Sequence, residues 1–133
     1  MKVEDVEGIG PTYGARLHAA GVATVEALLE RGKTRKGRED LAATTGIDGT
    51  RVLTWVNHAD LMRINGVGSE YADLLEAAGV DSPAELAHRV AANLAAKMEE
   101  LNTEKELVRR VPTESMVGGW IEEAKSLPKI VEH

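Results

Sequence analysis

Val6-Glu-Gly-Ile-Gly-Pro-Thr-Tyr-Gly-Ala-Arg-Leu-His-Ala-Ala-Gly-Val22 returns 58 positions later as Ile64-Asn-Gly-Val-Gly-Ser-Glu-Tyr-Ala-Asp-Leu-Leu-Glu-Ala-Ala-Gly-Val80. Eight of the seventeen positions are identical, among them Gly8/Gly66, Gly10/Gly68, Tyr13/Tyr71, Leu17/Leu75 and Gly21/Gly79. An internal repeat of this strength takes precedence over the reading of any single element. Each copy places a hydrophobic residue (Ile9 or Val67) between two glycines and follows it with a small apolar helix stopped by a third glycine. Glycine permits the positive φ that such a tight hairpin needs, and it also suits the residue just past a helix end.

Further along, the offset changes to 65: Val52, Trp55 and Ala59 match Val117, Trp120 and Ala124. The seven extra residues correspond to about two helical turns, so a helix is expected to lengthen without turning its apolar face away. They fall between Arg89 and Val111, around the helical stretch Ala92 to Leu101. All four aromatic residues occupy matching positions, Tyr13 with Tyr71 and Trp55 with Trp120. That placement reads as packing between helices rather than as a stacking platform for bases.

Helix punctuation is plentiful, while sustained alternation of strands is absent. Pro11 suits a first turn, and Thr24 caps a helix through Val25 and Leu28. Ser82-Pro83-Ala84-Glu85 reads as a capping box. Gly46 stops the Leu41–Thr45 helix, Asp48 caps the Trp55 helix, and Pro112-Thr113 opens the Trp120 helix. Gly118-Gly119 weakens that last one locally. The expected fold is all-α, with two tandem helix-hairpin-helix (SAM-like) repeats, residues 1–60 and 61–133, packed as one compact pseudo-symmetric unit.

The apolar share of 43% and charged share of 29% suit a globular chain. No apolar run is long enough to span a bilayer and no leader opens the chain, so a cytoplasmic protein without a membrane partner is expected. There is no cysteine, which removes disulfides, thiolate metal sites and thiol nucleophiles. The four histidines (His18, His58, His88, His133) are scattered without ligand spacing and read as structural, so no metal site is expected. Neither a Ser/His/Asp set nor paired catalytic carboxylates stand out, and the chain reads as a non-enzyme. The net charge of −6 is uneven: residues 1–62 carry −1 and residues 63–133 carry −5. Whatever basic surface exists is therefore expected mainly on the first half.

A Gly-hydrophobic-Gly hairpin has a physical use. Its backbone N–H groups join those of the following helix in a concave donor cluster at the positive end of the helix dipole, where a phosphate fits. The residues resemble the helix-hairpin-helix motif of DNA repair and recombination proteins. That resemblance implies sequence-independent contact with the DNA backbone, in some cases with a monovalent cation held by hairpin carbonyls; no other cofactor is expected. The longer pattern is more specific: Trp55-Val-Asn-His-Ala-Asp-Leu-Met-Arg-Ile-Asn-Gly-Val-Gly-Ser-Glu-Tyr-Ala-Asp-Leu-Leu75, then Leu107-Val-Arg-Arg-Val-Pro-Thr113 and Ala124-Lys-Ser-Leu-Pro128. It resembles, over nearly the whole chain, the bacterial family called domain of unknown function 4332, whose motif is described as helix-hairpin-helix and whose function is unassigned.

The expected nucleic-acid site is Gly8, Ile9, Gly10, Thr12 and Arg16, beside a strap formed by the only basic run, Arg31-Gly-Lys-Thr-Arg-Lys-Gly-Arg38, through Lys33, Arg35, Lys36 and Arg38. Lys33-Thr34 is not a P-loop, because the glycine-rich strand-to-helix context is missing. The second hairpin, Gly66, Val67, Gly68 and Ser69, is the weaker site, since Glu70, Asp73, Glu76 and Asp81 surround it with like charge. Double-stranded DNA is the expected partner. The alternative is a protein-interaction or scaffold module in which both hairpins only join helices.

Overall fold

The computed structural model describes all of residues 1–133. Eight α-helices follow one another: α1 (Gly10–Ala19), α2 (Val25–Gly32), α3 (Arg35–Thr45), α4 (Gly49–Leu61), α5 (Ser69–Ala77), α6 (Pro83–Leu86), α7 (Ala91–Lys105) and α8 (Glu114–Ser126). A 3-10 turn at Val3–Asp5 precedes them, and an isolated bridge between Lys2 and Thr24 takes the place of any strand. The fold is all-α, and no helix is long and apolar enough to cross a membrane.

The helix boundaries follow from short-range chemistry. Thr24, Thr34, Ser82 and Thr113 each accept a hydrogen bond on the side-chain oxygen from the amide three residues on, at 3.0–3.1 Å. Asp48 accepts from the Thr50 amide at 2.7 Å and opens α4. Gly46 ends α3 with a φ of +71°. The capping box at Ser82 is only half formed, because the Glu85 carboxylate accepts from Arg89 Nε at 3.1 Å. Gly118-Gly119 leaves α8 unbroken, since Val117, Trp120, Ile121 and Ala124 anchor its buried face.

The residues group into two compact units, Met1–Asp60 with Ile130–His133, and Leu61–Lys129. Residues 130–133 thus return to the first unit, although they follow the second half in sequence. In the first unit Leu17, Leu28, Leu41, Val52 and Val56 are fully buried. In the second, Leu74, Leu75, Val80, Leu86, Met98 and Val117 form the equivalent interior.

The seven extra residues of the second half do not make two helical turns. At 15 residues, α7 is only four longer than α3, and α6 has 4 residues where α2 has 8. The rest lies mainly in the connector between α7 and α8, residues 106–113. There the Asn102 side chain bonds both the N–H and the C=O of Val108 (2.9 and 3.1 Å), substituting for a backbone partner.

Candidate nucleic-acid interface

Both hairpins are built on one local plan. The amide of the central residue closes a turn, Ile9 N–H to Val6 O at 3.0 Å and Val67 N–H to Ile64 O at 3.1 Å. The side chains of Ile9 and Val67 are buried, 2% and 4% exposed, and so plug the interior beneath each hairpin. The first glycine has a φ of +89° at Gly8 and +87° at Gly66, and a Cβ there would stand 3.4 or 3.3 Å from Nε1 of Trp55 or Trp120. Each tryptophan also meets a tyrosine, with ring centroids 5.2 Å apart in Tyr13–Trp55 and in Tyr71–Trp120. At the opposite end of the helix, Arg31 donates to Ala20 O at 3.0 Å and Arg89 donates to Gly79 O at 3.2 Å, a cation at each helix C-terminus.

The two sites then diverge. At hairpin one Gly10 has a φ of +62° and begins α1 directly, followed by Pro11, which has no N–H, and exposed Thr12. The amides of Gly8, Gly10 and Thr12 find no acceptor in the protein. Two guanidinium groups converge on Tyr13, Arg16 at 5.7 Å and Arg51 at 5.4 Å from the ring centroid. Arg51 arrives from the first turn of α4, and its sequence neighbourhood carries no sign of the hairpin. A carboxylate arrives as well: Glu4 packs on Gly14 and bonds His18 Nε2 at 2.9 Å. Seen along α1 alone, the flank had no acid.

At hairpin two Gly68 is extended, with φ −90° and ψ −172°, and acts as the N-cap of α5. Its own amide and that of Gly66 are equally free, so unpaired donors are present at both hairpins while the surrounding charge differs. Glu123 of α8 accepts from the Asn65 amide at 3.1 and 3.2 Å with its two oxygens. Glu70 stands in the first turn of α5, where Arg109 faces it at 3.5 Å. Ser69 is buried, and the Tyr71 hydroxyl donates to Arg110 O at 2.9 Å. The positions matching Arg16 and Arg51 are Leu74, which is buried, and Met116.

The basic run is not a strap beside hairpin one. It is the corner between α2 and α3, only Lys33 and Thr34 lying between the helices. Arg31 is anchored at the far end of α1 from the hairpin, about 15 Å along a ten-residue helix. The two glycines of the run make the corner possible. A Cβ on Gly32 would lie 2.3 Å from Val56 Cγ2, and one on Gly37 would lie 2.1 Å from Arg31 O. Lys33 pairs with Glu30 at 2.8 Å. Arg35 donates to His133 O at 3.0 Å, and Arg38 to Gly32 O and Glu132 O at 2.9 and 2.6 Å. Arg38 is buried, and burial lowers the pKa of its guanidinium from the ordinary value, with nearby Glu132 opposing the shift. Lys36 alone of the run points to solvent without such an engagement. The structure thus keeps Gly8 to Arg16 together, adds Arg51 beside Tyr13, and engages Lys33, Arg35 and Arg38 at the α2–α3 corner instead.

An all-helical chain bearing two glycine hairpins of this geometry is the class defined here. The chain belongs to the family described as Domain of unknown function (DUF4332), whose model matches residues 7–127. Neither a curated protein nor a solved structure matches it.

Proposed function

We propose that hairpin one is a sequence-independent contact for the phosphate backbone of nucleic acid, double-stranded DNA in the first instance. The observation that carries this reading is the convergence of Arg16 and Arg51 on Tyr13, beside the free amides of Gly10 and Thr12 at the N-terminus of α1. Two cations and a set of preorganised N–H donors at a helix N-terminus favour a phosphate without a basic protein overall. The lack of exposed aromatic pairs argues for duplex over single strands, because single-strand binding relies on stacking. In this reading the contact is a binding one, made by backbone donors and cations.

Anisotropy of a labelled duplex tests it. Nonspecific binding is expected in the range of about 10⁻⁴ to 10⁻⁶ M. Each phosphate-contacting cation adds about 0.9 to the salt slope, so raising salt from about 50 to about 200 mM weakens binding roughly tenfold through this pair alone. The double variant Arg16→Glu/Arg51→Glu should abolish the binding. A folded wild-type chain that binds no duplex even at the lower salt overturns the proposal.

The second reading, a protein-interaction module whose hairpins are joints, is favoured at hairpin two. There Glu123 and Glu70 stand where phosphate would bring repulsion, and Val67 simply plugs the interior. If proteins are recovered with the chain after nuclease treatment while the Arg16/Arg51 double variant changes nothing, this second reading replaces the first.

A further inference from the structure

The corner between α2 and α3 holds something other than phosphate: the segment Val131-Glu132-His133. Val131 is buried, 1% exposed. The Glu132 amide donates to Lys33 O at 2.7 Å, and its carbonyl accepts from Arg38 at 2.6 Å. Arg35 donates to the main-chain oxygen of His133 at 3.0 Å. Three of the contacts therefore read the main chain of the segment, which any sequence can offer. Two read side chains. The Glu132 carboxylate accepts from the first amide of α3, Arg35 N–H, at 3.2 Å, where the helix dipole favours an anion, and the His133 ring meets Asn57 Oδ1 at 3.0 Å.

The occupant is remote in sequence, 94 to 98 residues from the arginines that hold it, and no helix shapes residues 128–133. His133 also lines a groove of about 520 Å³, together with Arg35, Arg38, Glu39, Ala42 and Leu53. Main-chain recognition, one apolar anchor and one acid-reading amide are the elements of a linear-peptide site.

We infer that this corner of the first unit is a docking site for a short acidic peptide of the type apolar–Glu–X, filled here by the chain's own Val131-Glu132-His133 and open to a peptide of the same chemistry from a partner protein. The site is separate from hairpin one, which lies at the other end of α1, so it stands whether or not the phosphate reading does. It also accounts for the basic run. The guanidinium groups of Arg35 and Arg38 serve main-chain oxygens of the peptide and the Arg35 amide serves its carboxylate, while Gly37 lets α3 close on the end of α2 and Gly32 lets α2 close on Val56 of α4.

The test uses the full chain and a labelled peptide of residues 128–133, amidated at its end so that a terminal charge is not what is read. In wild type the resident segment competes at the millimolar effective concentration of a short tether. The variant Val131→Asp/Glu132→Lys releases it and should bind the probe about tenfold tighter or more. Adding Arg38→Met, or making Glu132→Lys in the probe, should remove that gain. Saturable binding absent from a released variant that keeps its helical circular dichroism overturns the inference, as does equal binding of the Lys-bearing probe. Should the released variant unfold, NMR titration of the wild-type chain with several millimolar unlabelled peptide decides instead. Shifts at the Lys33–Arg38 and Val131–His133 amides support the site, and unmoved amides refute it.

Discussion

Hairpin one and hairpin two share their backbone turn, their buried plug and their tyrosine–tryptophan pair, yet different charged side chains surround them. Arg16 and Arg51 flank Tyr13 in the first, whereas a buried leucine and Met116 take those positions in the second. Thr12 of the first corresponds to Glu70 of the second. The plan of the hairpin is set by backbone and packing, because Gly8 and Gly66 hold a positive φ beside an indole edge that stands 3.4 or 3.3 Å from where a Cβ would be. The chemistry of the hairpin is set by a few surface positions that packing leaves free to vary. In the proposed reading, one architecture holds a phosphate at one copy and serves as a joint at the other.

The most severe test of the shared plan is to remove its tryptophans. Trp55→Ala and Trp120→Ala should each destabilise their unit by about 3–5 kcal/mol, as expected for a large aromatic deleted from an interior. Helical circular dichroism in urea reads the loss, while the surviving indole reports on the untouched unit, because the chain has only these two tryptophans. A tryptophan whose loss costs under about 1 kcal/mol would end the equivalence. Next, Gly8→Ala and Gly66→Ala should cost about 2 kcal/mol each, since both force a side chain to positive φ against an indole. Unequal losses would mean that the two turns only look alike.

The second glycines should separate the sites. Gly10→Ser, at φ +62°, should cost about 1 kcal/mol or more. Gly68→Ser places a good N-cap on an extended backbone with nothing within 4 Å, and should be neutral or stabilise by a few tenths of a kcal/mol. Equal effects in denaturation would contradict the difference in backbone. The smallest change in stability carries the sharpest functional contrast. Thr12→Glu gives hairpin one the acid of hairpin two; it should stabilise α1 by about 0.3–1 kcal/mol through the dipole while abolishing duplex binding. Glu70→Thr should lose a similar amount of stability and leave binding unchanged. A Thr12→Glu variant that still binds duplex with the wild-type salt slope would place the contact elsewhere.

What the sequence determined by itself was most of what acts over three or four residues. Thr24, Asp48, Ser82 and Thr113 cap their helices through the nearest amides, and glycines at 21, 46 and 79 adopt positive φ just past helix ends. That the aromatics pack between helices was legible too, because a repeat places equivalent residues in equivalent surroundings; that each tyrosine meets a tryptophan was not. The tertiary structure decided which charges meet. Arg51 reaches Tyr13 across 38 residues, Glu4 settles on Gly14, Glu123 takes the Asn65 amide, and Glu132 occupies the corner that a basic run suggested for phosphate. Capping and φ are properties of a local stretch of backbone and so are written where they act. The partner of a long charged side chain depends on where helices cross, and that is fixed by the buried faces of residues far away in the chain.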